Sequence, residues 1–314
     1  MTRRSLVDRA GTLIGLVVVA TIFGLLVGAR FYDPSNLDLM ARQAAIVCLS
    51  GIGMTVVIAA GGIDLSVGSI IALTTVAIAL ALRGGMSPIA AAAVGIGAAA
   101  LCGLVNGILI TQLNVVPFIV TLGTMLIVRG AAKGLAEERR IESPITWLNN
   151  LLRTDRAAAV LPDGIWILIV AALATAAVLR YTRFGRHSFA IGSNERMARL
   201  CGVPMARTKI LVYTVSGLLT GLAGLLQFAK LSVGDPTVGV GAELDVIAAV
   251  IIGGGSLNGG RGSVAGTIMG AAIMTIIQVG CAQKGLANWV QQIVTGAIIV
   301  AAVALDRVRS AKGR

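Results

Sequence analysis

The predicted topology of this chain depends on the segment Arg180–Lys209, RYTRFGRHSFAIGSNERMARLCGVPMARTK. It carries seven basic residues and one acidic residue, Glu195, and it lies between two long apolar segments, 163–180 and 209–230. In multi-pass membrane proteins, loops rich in lysine and arginine stay on the cytoplasmic side. We therefore place residues 181–208 in a cytoplasmic loop between two membrane-spanning helices.

The composition of the whole chain is typical of a membrane protein. The 314 residues are 56% hydrophobic and 13% charged, with a mean hydropathy of +0.90. Soluble domains carry about 25% charged residues, so this chain has too few charges to cover a water-facing surface, and it is too apolar to be disordered. The net charge of +12 fits basic cytoplasmic loops better than nucleic-acid binding, because only 4% of the residues are aromatic.

Ten apolar segments approach the roughly 20 residues that a membrane-spanning helix needs. The C-terminal tail holds Arg307, Arg309, Lys312 and Arg314, so it is basic in the same way as Arg180–Lys209. If both are cytoplasmic, an even number of crossings separates them, and the short eighth segment must count as one. We therefore expect an all-α, polytopic integral membrane protein with about ten transmembrane helices, some of them broken. The expected spans are 11–30, 42–61, 66–83, 89–112, 116–134, 163–180, 209–230, 243–257, 262–282 and 289–306.

This topology makes 1–314 a single transmembrane domain with both termini in the cytoplasm. It also places the stretch 135–163 outside, where Trp147 suits a short helix at the level of the lipid headgroups. The basic stretch Arg129–Arg140 then lies on the outer side as well, which runs against the positive-inside rule.

Two glycine-rich segments interrupt the apolar sequence. They are Gly61–Ser69 (GGIDLSVGS), which contains Asp64, and Gly253–Gly262 (GGGSLNGGRG). An ionisable side chain at the centre of a span costs about 2.5–3.5 kcal/mol, so Asp64 belongs either in a broken helix that lines a pathway or in a tight turn at the surface. Neither segment matches the GxxxxGK[ST] pattern of a nucleotide-binding P-loop.

A short amphipathic helix is predicted over residues 194–201, inside the basic loop. Ser193 or Asn194 is placed to cap its N-terminus, and Gly202 is placed to end it. A basic amphipathic helix suits anionic lipid headgroups as well as a protein partner, so its spacing alone leaves both interpretations open.

The sequence contains no catalytic or metal-binding constellation. His187 is the only histidine, the four cysteines are scattered, and the GxSxG and HExxH patterns are missing. We expect no catalytic residue, no metal and no cofactor in this chain. Polar residues in or beside the spans are candidates either for a transport pathway or for ordinary hydrogen bonds between helices, worth about 0.6 kcal/mol each. They are Asp64, Ser66, Asn106, Gln112, Thr121, Thr124 and Asn258.

Five stretches, in this order and spacing, resemble the permease subunit of ribose-type simple-sugar ABC importers. The resemblance extends from Asn36 to Asp306; it departs at Gly255, where threonine or serine is more usual, and in the loop 137–156. The five stretches are GGIDLSVGS at 61–69, PFIVTLGTMLIVRG at 117–130, RFGRHSFAIGSNERMARLCGV at 183–203, ELDVIAAVIIGGGSLNGGRGS at 243–263, and residues 291–306.

The resemblance implies the membrane-spanning permease subunit of an ATP-binding-cassette importer in the bacterial inner membrane, which translocates a monosaccharide delivered by a periplasmic sugar-binding protein. It implies a second permease chain, identical or a sister, and ABC ATPase subunits that carry ATP and Mg. It also implies contact with membrane lipid but not with nucleic acid. The alternative is an ion-coupled secondary transporter or a channel that acts without an ATPase, with Asp64 as the ion-coupling candidate. By the same resemblance, the residues that couple the chain to the ATPase are Ser193, Asn194, Glu195, Arg196, Met197, Arg199, Leu200 and Gly202.

Overall fold

The computed structural model describes residues 3–153 and 161–311, so the predicted tail residues Lys312 and Arg314 lie outside it. Within the described ranges the chain forms twelve α-helices, two short 3₁₀ helices and one pair of two-residue strands. The helices are α1 Arg3–Val27, α2 Pro34–Ala59, α3 Val67–Arg83, α4 Pro88–Leu113, α5 Pro117–Leu135, α6 Asp163–Tyr181, α7 Arg183–Ser193, α8 Glu195–Leu200, α9 Met205–Leu231, α10 Ala242–Ile252, α11 Val264–Gln283 and α12 Asn288–Ala311; the 3₁₀ helices are Ala29–Tyr32 and Trp147–Asn150; the strands are β1 Ile141–Glu142 and β2 Val233–Gly234.

Each of the ten expected spans corresponds to a helix, which confirms the all-α polytopic class. By length and composition, α2, α4, α5, α6, α9 and α11 can each cross a membrane, and α1, α3 and α12 contain shorter apolar stretches. The short eighth span is α10, with 11 residues. It ends five residues before the predicted position 257, because three glycines follow Ile252 and Gly254 has a left-handed φ of +90°.

The helix starts follow from local sequence. Pro34, Pro88 and Pro117 occupy the first positions of α2, α4 and α5, where a missing N–H group costs nothing. The side chains of Asp33 and Ser87 cap α2 and α4 by accepting hydrogen bonds from backbone N–H groups of the first turn.

The strand pair shows which loops share an end of the helix bundle. β1 follows α5 and β2 follows α9, and the two pair antiparallel with Ile141 opposite Gly234. The C-terminal ends of α5 and α9 therefore lie at one end of the bundle, and the segment Arg180–Lys209, which precedes most of α9, lies at the other. We call the latter the basic face and the former the opposite face.

Basic side chains at the opposite face are engaged by the protein itself. The Arg129 guanidinium donates hydrogen bonds to the carbonyl oxygens of Pro236 (3.0 Å) and Val238 (2.5 Å). Nε of Arg140 donates to the carboxylate of Asp235 at 2.8 Å. Two of the arginines that ran against the positive-inside rule therefore hold the loop after α9 in place.

Small residues allow α4 and α9 to pack at close range. A Cβ atom added at Gly103 would lie 2.2 Å from the carbonyl oxygen of Tyr213, and one at Gly107 would lie 2.7 Å from Cα of Ile210. From the other side, a Cβ at Gly217 would lie 2.5 Å from a carbonyl oxygen of α4. Close approach of this kind is how helices associate in lipid, where no hydrophobic force drives them together.

We expect Gly103→Ala to destabilise the protein by about 1–3 kcal/mol, the usual cost of overpacking, because the new methyl group meets backbone that cannot move aside. Gly97→Ala on the same helix is the matched control, since a Cβ there has no neighbour within 4 Å, and alanine favours helix by up to about 1 kcal/mol. Thermal unfolding in detergent measures both variants. Equal unfolding midpoints would contradict the close packing of α4 on α9.

The carboxyl group of Asp235 predicts that the folded protein becomes less stable as the pH falls. Burial raises its pKa, but hydrogen bonds from Thr237 and the hydrogen bond and charge of Arg140 outweigh this and lower the pKa below the ordinary 3.8. A lowered pKa contributes stability that is complete above the ordinary value and is lost as the pH falls through the folded value. Unfolding midpoints measured from pH 6 down to pH 3 should fall more steeply for the wild type than for Asp235→Asn; parallel curves would refute this.

Candidate functional site at the basic face

The basic segment folds into two helices, of which the sequence predicted only the second. The unpredicted helix, α7, is capped by Thr182, whose Oγ1 accepts a hydrogen bond from the N–H of Gly185 at 3.3 Å. Gly185, Ser188 and Ile191 are buried. Their three-residue spacing was a helical signal, but two of them are small or polar and do not register as an apolar stripe.

The second helix, α8, begins directly after Asn194, which is one of the two residues predicted to cap it. Oδ1 of Asn194 accepts a hydrogen bond from the N–H of Met197 at 3.0 Å, so Asn194 is the N-cap. Ser193 is instead the last residue of α7. Glu195 occupies the first turn, where a negative charge complements the helix dipole.

The end of α8 is fixed by Gly202, as predicted. Gly202 has a φ of +77°, and its N–H donates to the carbonyl of Arg199 at 3.0 Å. The N–H of Val203 donates to the carbonyl of Ala198 at 3.1 Å. These two bonds form a Schellman motif, in which the left-handed residue is usually glycine.

One side of α8 faces away from the rest of the chain. Leu200 is 81% exposed and Met197 is 55% exposed, whereas Ala198 on the inner side is 5% exposed. Arg196 is also exposed. The helix therefore presents apolar and cationic side chains together to whatever lies beyond the basic face.

Ion pairs connect α8 to the start of α9. Oε1 of Glu195 accepts a hydrogen bond from Nζ of Lys209 at 2.8 Å and lies 3.7 Å from Nη2 of Arg199. The pairing with Arg199 has the i, i+4 spacing of a helix surface. All three side chains are partly exposed, so the pairs orient the helix more than they stabilise it.

Behind α8, four glycines bring three backbone segments into contact; we call Gly61, Gly192, Gly259 and Gly260 the glycine junction. A Cβ at Gly192 would lie 2.0 Å from the carbonyl oxygen of Ala59 and 2.5 Å from the nitrogen of Gly260. The N–H of Gly260 donates to the same carbonyl at 3.0 Å. At Gly192, three positions before α8 begins, the end of α7 therefore touches both glycine-rich segments.

Asp64 lies in a buried polar cluster, not in a surface turn. Its side chain is fully buried, and Oδ1 accepts hydrogen bonds from the N–H (2.9 Å) and Oγ (2.5 Å) of Ser66. Oγ of Ser66 in turn accepts from Nδ2 of Asn106 at 2.9 Å. Within the described residues, Oδ2 of Asp64 and Oδ1 of Asn106 have no hydrogen-bond partner.

The other predicted pathway residues are divided between this cluster and the surface. Oγ1 of Thr121 donates to the carbonyl of Ile63 at 3.2 Å, and Oγ1 of Thr124 donates to the carbonyl of Thr121. Gln112 and Asn258 are exposed. The structure thus places Asp64, Ser66, Asn106 and Thr121 together, whereas Thr124 bonds within its own helix and Gln112 and Asn258 are exposed.

Two adjoining cavities, of about 210 and 650 Å³, are bordered by α2, α10 and α11, and the larger one also by α12. None of the seven predicted pathway residues lines either cavity. Their shared border carries Gln43, Asp245 and Gln278. The sequence analysis missed these residues because they are far apart in the chain; glutamines recurring inside apolar helices were the available signal.

The Asp64 cluster predicts a difference between two substitutions. Asp64→Leu removes the acceptor for a buried N–H group, which costs about 1–3 kcal/mol, whereas Asp64→Asn keeps an acceptor of the same shape. We expect the asparagine variant to unfold in detergent at a clearly higher temperature than the leucine variant. If the two variants unfold together, the hydrogen bonds to Ser66 are not what Asp64 contributes to stability.

Comparison with known proteins places this geometry in a family. Residues 36–303 match the family described as "branched-chain amino acid transport system / permease component". The chain is 36% identical to the ribose import permease of Bacillus subtilis over 97% of this chain and 94% of the relative. It is 35% identical to the fructose import permease of Rhizobium meliloti over 94% and 84% of the two chains.

A solved structure shares the fold. It is described as an inward-facing metal-chelate type ABC transporter, and it superposes with a TM-score of 0.53 over 94% of this chain and 97% of its own chain. The sequence identity is 16%, so this likeness concerns the fold alone. The family match over residues 36–303 and the identities of more than a third over most of the chain show that it belongs to this family of multi-pass membrane permease components of transport systems.

Proposed function

We propose that this chain is the membrane-spanning permease subunit of an ABC importer that carries a monosaccharide into the cell. The single observation that supports this best is α8, a capped helix that exposes Leu200 and Met197 directly beside the glycine junction. An apolar tip rimmed by arginines suits the groove of a protein better than lipid headgroups alone, because α8 is held by its caps and ion pairs instead of being free to lie flat on a surface.

The proposed orientation puts the basic face in the cytoplasm, together with both termini. An ABC ATPase would bind there, with Ser193, Asn194, Glu195, Arg196, Met197, Arg199, Leu200 and Gly202 as the contact segment, and ATP and Mg would be bound by that separate chain. A periplasmic sugar-binding protein would meet the opposite face. A second permease chain, identical or a sister, would complete the membrane core within the bacterial inner membrane.

A movement of α8 would be passed to the membrane helices through backbone contacts. Gly192 contacts the end of α2 and the loop between α10 and α11 through backbone atoms, and backbone contacts transmit displacement with little slack. A shift of α8 by an ATPase would therefore displace two glycine-rich segments at once. This supports coupling to a separate motor over the alternative of an ion-driven transporter that acts alone.

The relatives favour a sugar as the substrate. Both are import permeases for monosaccharides, ribose and fructose, and both are matched over more than four fifths of their length. The family description names branched-chain amino acids, so an amino acid is the specific competitor that an uptake measurement must include.

Leu200→Ser should weaken binding of the ATPase about thirtyfold while leaving the permease folded and in the membrane, because an 81% exposed side chain contributes little to the fold. Removing one central apolar anchor of an interface commonly costs more than 2 kcal/mol, a loss of about thirtyfold in affinity. Co-purification of the tagged permease with its ATPase measures this, and uptake of labelled ribose and fructose should fall in parallel.

Ile145→Ser is the matched control. Ile145 is 85% exposed and lies in the loop that carries β1 at the opposite face, so its replacement should leave ATPase binding intact. Wild-type levels of ATPase binding by Leu200→Ser would remove α8 as the coupling element. Ribose or fructose uptake that persists without any ATPase, driven by an ion gradient, would replace the whole proposal by the secondary transporter.

A further inference from the structure

The two adjoining cavities share a border and form one space, which we call the amide chamber; its wall is partly apolar and carries a set of polar side chains. Its walls carry glutamine side chains from four helices, Gln43 of α2, Gln227 of α9, Gln278 of α11, and Gln291 and Gln292 of α12. The larger cavity, about 650 Å³, lies in the range of roughly 300–1,000 Å³ that is usual for small-molecule sites. Five glutamines converging on one space need an explanation, since polar side chains in spans carry an energetic cost.

The charged groups of the chamber lie beside these amides. Nζ of Lys230 donates to Oε1 of Gln43, and Asp245 lies with Gln278 on the border that the two cavities share. The side-chain amides of Gln227 and Gln278 each offer a ligand a donor and an acceptor side by side.

The start of α10 disfavours an anionic ligand. The N-terminus of a helix attracts negative charge, but the first turn of α10 already contains Glu243 and Asp245. A ligand carboxylate that entered beside Asp245 would meet a like charge in a poorly solvated space. A neutral ligand with many hydroxyl groups avoids this repulsion and can use both halves of each amide.

The backbone at the edge of the chamber is irregular at the depth of the membrane helices. Between β2 and α10, Gly239 and Gly241 have φ values of +72° and +82°. A Cβ at Gly68, at the start of α3, would lie 2.0 Å from the carbonyl oxygen of Gly239, so this segment reaches down beside α3. Non-helical backbone at such depth is tolerated only when it is enclosed by protein or lines a polar cavity.

We infer that the amide chamber is a binding site for a neutral monosaccharide within the permease, and that it excludes amino acids. The inference rests on the proposed function and deepens it by naming the place in the permease where the sugar binds. Gln227 and Gln278 are its principal polar contacts, and Asp245 accepts hydroxyl hydrogen bonds beside Gln278. The chamber discriminates by hydroxyl count and charge, which is independent of any selectivity in a binding protein.

The test is saturation-transfer NMR on the full chain in lipid nanodiscs, with D-ribose, D-fructose and L-leucine as probes at millimolar concentration. The wild type should transfer saturation to a sugar and not to leucine. Gln227→Leu and Gln278→Leu should each reduce the sugar signal by about three- to tenfold, the effect of one lost hydrogen bond of ordinary strength. Thr214→Val is the control, because its hydroxyl bonds only the carbonyl of Ile210 in its own helix at 2.8 Å.

The NMR outcomes test the sugar-binding site alone, and ATPase binding tests the proposed importer. Equal sugar signals in all variants, no sugar signal in the wild type, or a signal from leucine would each overturn it, while ATPase binding through Leu200 would still support the importer. If Gln278→Leu fails to fold, Gln278→Glu keeps the shape of the side chain and brings a second carboxylate beside Asp245. It should then weaken the sugar signal, and an unchanged signal from this variant would also overturn the inference.

Discussion

The hydrogen bond from the N–H of Gly260 to the carbonyl of Ala59, with Gly192 packed against both, is the contact on which the arrangement at the basic face depends. It joins the end of α2, the loop before α11 and the end of α7 through backbone atoms alone. Any side chain larger than hydrogen at Gly192 would separate the three. This is why glycine-rich sequence occurs in two distant parts of the chain: the two segments meet in space.

Much of the fold could be predicted from the sequence because a lipid bilayer restricts the conformations that a backbone can adopt. Length, apolar composition and the basic residues of 180–209 were sufficient to predict ten apolar helices, including the short α10. Within the described ranges, six of these helices are long and apolar enough to cross a membrane. The prediction failed in the places where charge and hydropathy carry no information. α7 is held by small and polar residues such as Gly185 and Ser188, and the strand pair at the opposite face joins residues that are more than ninety positions apart.

The candidate site was predicted unevenly for a similar reason. Asn194 as a cap, Gly202 as a terminator and the pairing of Glu195 with Arg199 are local, so spacing along the chain revealed them. Residues chosen for a pathway by polarity alone, such as Asp64 and Asn106, proved to be neighbours in one buried cluster. The amide chamber is assembled from six helices that are far apart in the sequence, so only the three-dimensional arrangement could reveal it.

The position of α9 has a consequence for how such a molecule changes shape. Although α9 follows the basic loop in sequence, it packs among α2, α3 and α4, and α2 in turn contacts α11. The first and second parts of the chain therefore interlock, and one cannot swing against the other without breaking glycine-mediated contacts in the centre. The moving unit is consequently the entire polypeptide, so a displacement that begins at α8 is shared by all the helices packed around α9.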